Sequence, residues 1–286
     1  MSCEFLPEDG GRLVSLKSKA AGREYIWINE RTKNLKRYYG ANYDNLMAGG
    51  VEEAFPTGYE DGFEGNAIPF FGEIWPIAWE VTKQEKDYIS MLCYSSIFPV
   101  IIHKTYSLNG PDLECHYSIK NLSNSPIPLM FGVHPSIAVK KGDRINIAPG
   151  DYRIGLSEGM PDGCEAGKSF TWPVCGKENL SVVPEIDKED RCMEFSTDKL
   201  NRGFFSLEDD SENLNIRFDE KVFTALSLWY IWGGWRGHRC LMFEFYTGYP
   251  FKLSEAVKKE SIPYLKAKDS FETSVIYKLS RPVNTV

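Results

Sequence analysis

Leu113-Glu114-Cys115-His116-Tyr117-Ser118-Ile119-Lys120 carries apolar residues at the odd positions and mostly polar ones at the even positions. That period of two turns successive side chains to opposite faces and marks a half-buried β-strand. Asn213-Leu214-Asn215-Ile216-Arg217-Phe218-Asp219 repeats the pattern. Gly203-Phe204-Phe205-Ser206-Leu207 precedes it across Glu208-Asp209-Asp210-Ser211-Glu212, a loop of the kind that closes a β-hairpin. Further strands are predicted at 13–17, 25–28, 79–82, 88–94, 100–107, 145–147, 223–229 and 275–279. Helical signals are few, and the clearest is 253–259, with Ser254 as the expected N-cap and Pro263 as the stop. Strands without helices between them disfavour a parallel βαβ sheet and favour an antiparallel sandwich or barrel. No fixed-period repeat and no Pro/Ser/Gly linker divides the chain, so the expectation is an all-β, large antiparallel β-sandwich in one domain over residues 1–286.

Seventeen Phe, fifteen Tyr and seven Trp bring the aromatic share to 14%, beside 26% charged and 42% hydrophobic residues, which excludes a disordered chain. A net charge of −7 repels phosphate backbones and anionic headgroups, so neither nucleic acid nor a membrane surface is an expected partner. No apolar run reaches the roughly 18 residues of a membrane span. Met1-Ser2-Cys3-Glu4-Phe5 shows neither the basic nor the apolar region of a signal peptide, and a cytoplasmic location is expected. The cysteines at 3, 93, 115, 164, 175, 192 and 240 are odd in number and include no C-x-x-C pair. They predict reduced thiols rather than a disulfide framework or a zinc ribbon.

His103, His116, His134 and His238 are the only histidines, and none has metal-ligand spacing; no metal and no cofactor is expected. Gly233-Gly234-Trp235-Arg236-Gly237 matches neither a P-loop nor a dinucleotide fingerprint, and no Ser or Cys lies in a nucleophile elbow. Acid–base chemistry remains. His134 ends the apolar run Pro128-Leu129-Met130-Phe131-Gly132-Val133 and precedes Pro135; taken alone it reads first as a hydrogen-bonded core histidine. Glu244 lies inside Cys240-Leu241-Met242-Phe243-Glu244-Phe245-Tyr246. A carboxylate in an apolar strand without a cationic partner is desolvated, which favours its protonated form and suits a general base. Trp75, Trp79, Trp229, Trp232 and Trp235 read either as core or as rings that stack on the apolar face of a sugar. Lys33, Lys36 and Arg37 read as a solvated loop rather than a phosphate site.

Gly11-Arg12-Leu13-Val14-Ser15-Leu16, Gly49-Gly50-Val51-Glu52-Glu53-Ala54-Phe55-Pro56-Thr57, Gly72-Glu73-Ile74-Trp75, Gly132-Val133-His134-Pro135 and Glu244-Phe245-Tyr246-Thr247-Gly248-Tyr249-Pro250 follow in the order of the galactose mutarotase-like, or aldose 1-epimerase, superfamily, which this chain resembles over nearly its whole length. The resemblance implies a large antiparallel supersandwich with the sugar in a cleft on one sheet. It also implies an isomerase that interconverts the α and β anomers of an aldose without cofactor or metal. Glu244 matches the base that takes the anomeric hydroxyl proton, and His134 matches the acid that protonates the ring oxygen. Glu53, Phe71, Glu73, Trp75 and Trp232 are the expected cleft residues.

Phe71 departs from the pattern, because many members carry a histidine there and a phenyl ring makes no strong hydrogen bond. Phe245 likewise replaces a proline. These departures leave three outcomes open: a mutarotase with rearranged contacts, an epimerase for a different or modified sugar, or a sugar-binding relative without catalysis. A glycoside-processing enzyme using Glu73 and Glu244 as its carboxylate pair is a further alternative.

Overall fold

In the computed structural model, which describes residues 1–282, the alternating segments pair into two large sheets through antiparallel ladders. The larger sheet runs in the order Ser2–Leu6, Arg12–Lys17, Val51–Ala54, Gly132–Ile137, Arg239–Tyr246, Ala225–Trp232, Arg191–Thr197, Asp151–Glu158, Ser169–Thr171, Val174–Cys175 and Glu178–Asn179. The second runs Arg144–Ile147, Phe204–Glu208, Asn213–Arg217, Ser270–Ser280, Asp112–Asn121, Val100–Asn109, Tyr88–Tyr94 and Glu80–Glu85.

Each sheet buries one face against the other, as the period-two pattern requires. Across the interface Phe218 stacks on Phe245 at 4.1 Å between ring centroids, Phe205 meets Phe243 at 4.8 Å, and Tyr117 meets Phe131 at 5.1 Å. Buried apolar residues of both sheets form one contiguous cluster. A polar knot sits inside it. Glu53 accepts from Lys104 Nζ at 2.6 Å and from the Tyr117 hydroxyl at 2.8 Å, and the Lys104 ammonium lies 4.4 Å from the Trp79 ring centroid.

Three expectations are corrected. Residues 25–28 form no strand; Ile26 and Ile28 make only isolated bridges to Ile137 and Gly49, and the turn in which the Asn29 carbonyl accepts from the Thr32 and Lys33 amides ends their extension. The helix Leu253–Lys258 has Lys252 rather than Ser254 at its N-cap. Asp61 instead receives both the Ser254 amide and the Ser254 hydroxyl at 2.7 Å, placing a carboxylate at the helix start. Cys164 and Cys175 form a disulfide rather than remaining thiols. The turns between Asp151–Glu158 and Val174–Cys175 fold back to bring their Cα atoms within 5.6 Å, a proximity that spacing in the sequence does not disclose.

Lys104→Met leaves the Glu53 carboxylate buried without its counter-ion and is expected to cost about 3–5 kcal/mol in urea unfolding. Adding Glu53→Leu should recover most of that loss. A single-variant loss below about 1 kcal/mol would show that the knot contributes little.

Candidate functional site

Register builds the site. Val133 pairs with Phe245 and Ser136 with Met242, so His134 stands opposite Glu244 on the neighbouring strand. On its other side His134 pairs with Glu52. Glu244 pairs with Ser227, Ser227 with Ser196, and Ser196 with Arg153. Glu52, His134, Glu244, Ser227, Ser196 and Arg153 therefore form one transverse row over six strands. All lie on the face turned away from the partner sheet, because their strand neighbours Glu53, Val133, Phe243 and Phe245 point into the core.

In the middle of that row His134 Nε2 lies 3.3 Å from Glu244 Oε1. The other Glu244 oxygen accepts from the Tyr246 hydroxyl at 2.9 Å. Gly132 permits this arrangement: a Cβ there would come within 2.2 Å of the Tyr246 ring. The opposite edge of the imidazole faces Tyr43, whose hydroxyl is 3.4 Å from Nδ1 and donates to Glu52 Oε2 at 2.8 Å. Burial disfavours a charged imidazole, yet Glu244 and Glu52 outweigh it and raise the His134 pKa above its ordinary value. The other histidines lie elsewhere: His103 and His116 are on the second sheet, and His238 lies against Arg31, where burial and the Arg31 and Arg236 charges push it down to about 4.

Tyr43, Tyr59, Phe70, Phe71, Trp229 and Trp235 wall a narrow cavity of about 50 Å³ over His134 and Glu244. It has room for a few waters, each needing about 10–15 Å³. Tyr59 also lines a second cavity of about 280 Å³, together with Arg153, Gly155, Glu194, Ser196, Tyr249 and Phe251 among others. Glu194 Oε1 accepts from the Ser227 hydroxyl at 2.8 Å, while Oε2 lies where a Cβ on residue 155 would be, 2.1 Å away, so only glycine fits there. A larger concavity, about 650 Å³ around Asn146, Ser206 and Arg217, is on the outer face of the other sheet; its lining contains no histidine and no buried acid–base pair.

The structure brings His134, Glu244 and Phe71 together and sends the other predicted residues elsewhere. Phe71 takes a left-handed backbone (φ 66°), unusual for an aromatic residue. It stacks on Tyr43 at 4.6 Å and meets the His134 ring edge-on at 4.8 Å. Glu73 turns to the loop 95–97, accepting from the hydroxyls of Ser95 and Ser96 and the amides of Ser96 and Ile97. It does not line the cavity, which removes the support for a Glu73–Glu244 carboxylate pair. Trp75 is fully buried behind Tyr43, edge-on at 5.1 Å. Glu53 belongs to the inter-sheet knot. Trp232 stacks on Tyr230 at 5.3 Å, away from both cavities; Trp229 lines the site because it lies one side-chain alternation away, opposite Met242. Arg37 is buried against Asp9 and the Leu46 carbonyl, and Lys33 pairs with Glu30, so neither forms a phosphate cluster. Glu52, Tyr43, Ser227 and Glu194 were missed. For Glu52 a signal existed: His134 and Glu52 share a face only if Glu53 does not, but that depends on a pairing the sequence does not state.

No family model matches the sequence, and no curated protein matches it. Solved structures do. The Slr1438 protein of Synechocystis sp. PCC 6803 superposes with a TM-score of 0.73 at 16% identity, covering 98% of this chain and 92% of that one. A galactose mutarotase-like protein from Clostridium acetobutylicum gives 0.71 at 16% identity, over 98% and 92% of the two chains. A galactose 1-epimerase from Lactobacillus acidophilus gives 0.54 at 10% identity, over 98% and 91%. The chain has the galactose mutarotase-like fold, a β-sandwich. Among the described residues no helix is long and apolar enough to cross a membrane.

Glu194 provides a direct test of this electrostatic reading. Burial, with help from Glu244, raises its pKa from 4.5 to about 7, so between those values the folded chain holds a proton that the unfolded chain has released. That contribution to stability is fully present below pH 4.5 and is lost as pH rises to about 7. Glu194→Gln should flatten stability against pH over this window in thermal melts; an unchanged profile would contradict the assignment.

Proposed function

We propose that this protein is an aldose 1-epimerase-like isomerase that interconverts sugar anomers by acid–base ring opening. The observation that carries the reading is the 3.3 Å approach of His134 Nε2 to Glu244 Oε1 on a concave, aromatic-walled sheet face. Glu244 takes the proton from the anomeric hydroxyl while His134 Nε2–H gives one to the ring oxygen. The ring opens, the C1–C2 bond rotates, and the reverse transfers close it on the other face. Tyr246 holds the carboxylate through its second oxygen, leaving Oε1 to the reaction.

The narrow cavity has no room for a whole pyranose, so in this reading the anomeric end reaches toward His134 while the ring occupies the wider cavity. There Ser196, Glu194 and Arg153 offer hydrogen bonds to hydroxyls, and Tyr59, Tyr249 and Phe251 offer apolar rings. The galactose named for the Lactobacillus acidophilus enzyme is one candidate aldose for this chain. Phe71 favours a second reading, a sugar-binding protein without catalysis, since it gives a hydroxyl no partner. Binding in calorimetry without acceleration in polarimetry would select that reading.

In polarimetry Glu244→Gln should lower the acceleration of mutarotation by at least about 10²-fold, the scale of acid–base assistance, with an unchanged circular dichroism spectrum. A variant as active as the parent would remove Glu244 from the role of base.

A further inference from the structure

The imidazole of His134 is held from both edges. At Nε2 the neighbour is the Glu244 carboxylate, an acceptor, so Nε2 carries a hydrogen. At Nδ1 the neighbours are the Tyr43 hydroxyl oxygen at 3.4 Å and Glu52 Oε2 at 3.9 Å. The Tyr43 hydroxyl has one hydrogen, and it is donated to Glu52 Oε2 at 2.8 Å. Toward His134 that hydroxyl therefore presents a lone pair, and Nδ1 meets only acceptors. Two nitrogens facing acceptors fit the doubly protonated ring and neither neutral tautomer.

Glu52 has no other evident reason to be where it is. Its side chain is fully buried, and among the described residues Oε1 has no hydrogen-bond partner and no lysine or arginine pairs with the carboxylate. A buried carboxylate with one hydrogen bond is costly unless a positive charge is close. Among the described residues the basic group that approaches it is its cross-strand partner His134, 3.9 Å away. We infer that Glu52, acting through the Tyr43 hydroxyl, is a positioning residue that keeps the hydrogen on His134 Nδ1 and aims a charged imidazole, Nε2–H first, at the Glu244 side of the cavity. The role of Glu52 rests on the acid–base reading above and extends it: where Phe71 provides no polar contact, Glu52 and Tyr43 orient the acid from behind, and Phe71 confines it by packing. The remaining titratable groups around the ring agree with this. Glu244 and Tyr246 face it from Arg239–Tyr246, Glu52 from Val51–Ala54, and Tyr43 from the turn Tyr43–Leu46. Asp44 lies at the cavity rim 3.8 Å from Arg236, and residues 70–71 contribute only phenyl rings.

With four histidines in the chain, ¹⁵N-histidine labelling resolves His134, assigned by the signal lost in His134→Gln. In the unmodified protein both ring nitrogens should remain protonated above pH 6.5, the ordinary midpoint. In Glu52→Gln the midpoint should fall by on the order of one unit or more. The alkaline limb of mutarotation should move down with it, kcat dropping about tenfold at pH 7.5 while KM changes less than about twofold, and Glu52→Asp should restore part of the loss. A neutral ring with a bare Nδ1 at pH 6 in the unmodified protein overturns the inference, and so does a Glu52→Gln protein whose His134 titrates as before. The first measurement needs no variant to fold. If the unmodified protein does not accelerate mutarotation, the proposed reaction fails while the titration still decides the role of Glu52.

Discussion

Everything at the site depends on the register of the antiparallel pairing at the centre of the larger sheet. Because side chains alternate with a period of two, a slip of one residue between Gly132–Ile137 and Arg239–Tyr246 would turn Glu244 into the core and Phe243 or Phe245 out of it. The aromatic packing between the sheets opposes that slip. Phe243 and Phe245 are locked against Phe205 and Phe218 across the interface, so the hydrophobic packing that stabilises the fold also sets how His134 and Glu244 face each other. A row of six opposed residues, each on its own strand, then positions polar groups more rigidly than loops would.

The adjacent residues Glu52 and Glu53 show how strictly alternation separates roles. Glu53 points inward, and burial raises its pKa against the opposing pull of Lys104; its bonds to Lys104 and Tyr117 tie the two sheets together. Glu52 points outward to His134 and finds no such partner. One carboxylate pairs with a lysine in the core, and its neighbour lies 3.9 Å from an imidazole nitrogen on the opposite face. Burial at His134 works against charge, but two carboxylates on either edge of the ring outweigh it, which suits a proton donor.

The fold was legible because its signal is local. Alternation at 113–120 and 213–219 marks strands wherever they later pair, and the structure has strands at Asp112–Asn121 and Asn213–Arg217. The pair at the centre of the candidate site stands out for a similar reason, since Glu244 and His134 each interrupt or end an apolar run. What escaped was set by pairing. Sequence alone points to Glu53 rather than Glu52 and to Trp232 rather than Trp229, because it shows that strand residues an odd number apart face opposite ways but not which of them faces the cavity. Glu73 and Trp75 lie within a segment that matches the family pattern, yet their side chains serve a loop and the core. The disulfide between Cys164 and Cys175 depends on how short turns fold back. Phe71, conspicuous in the sequence for what it lacks, acquires a role in the structure as the ring that confines His134.

The central claim is that Glu244 and His134 act together on the anomeric centre of an aldose. Magnetisation transfer between the α and β anomeric protons of galactose or glucose, recorded at equilibrium with increasing protein, tests it most directly. The account predicts an exchange rate that rises in proportion to protein concentration above the spontaneous rate. Exchange that stays at the spontaneous rate for each aldose tried, at concentrations where binding is seen, would contradict it.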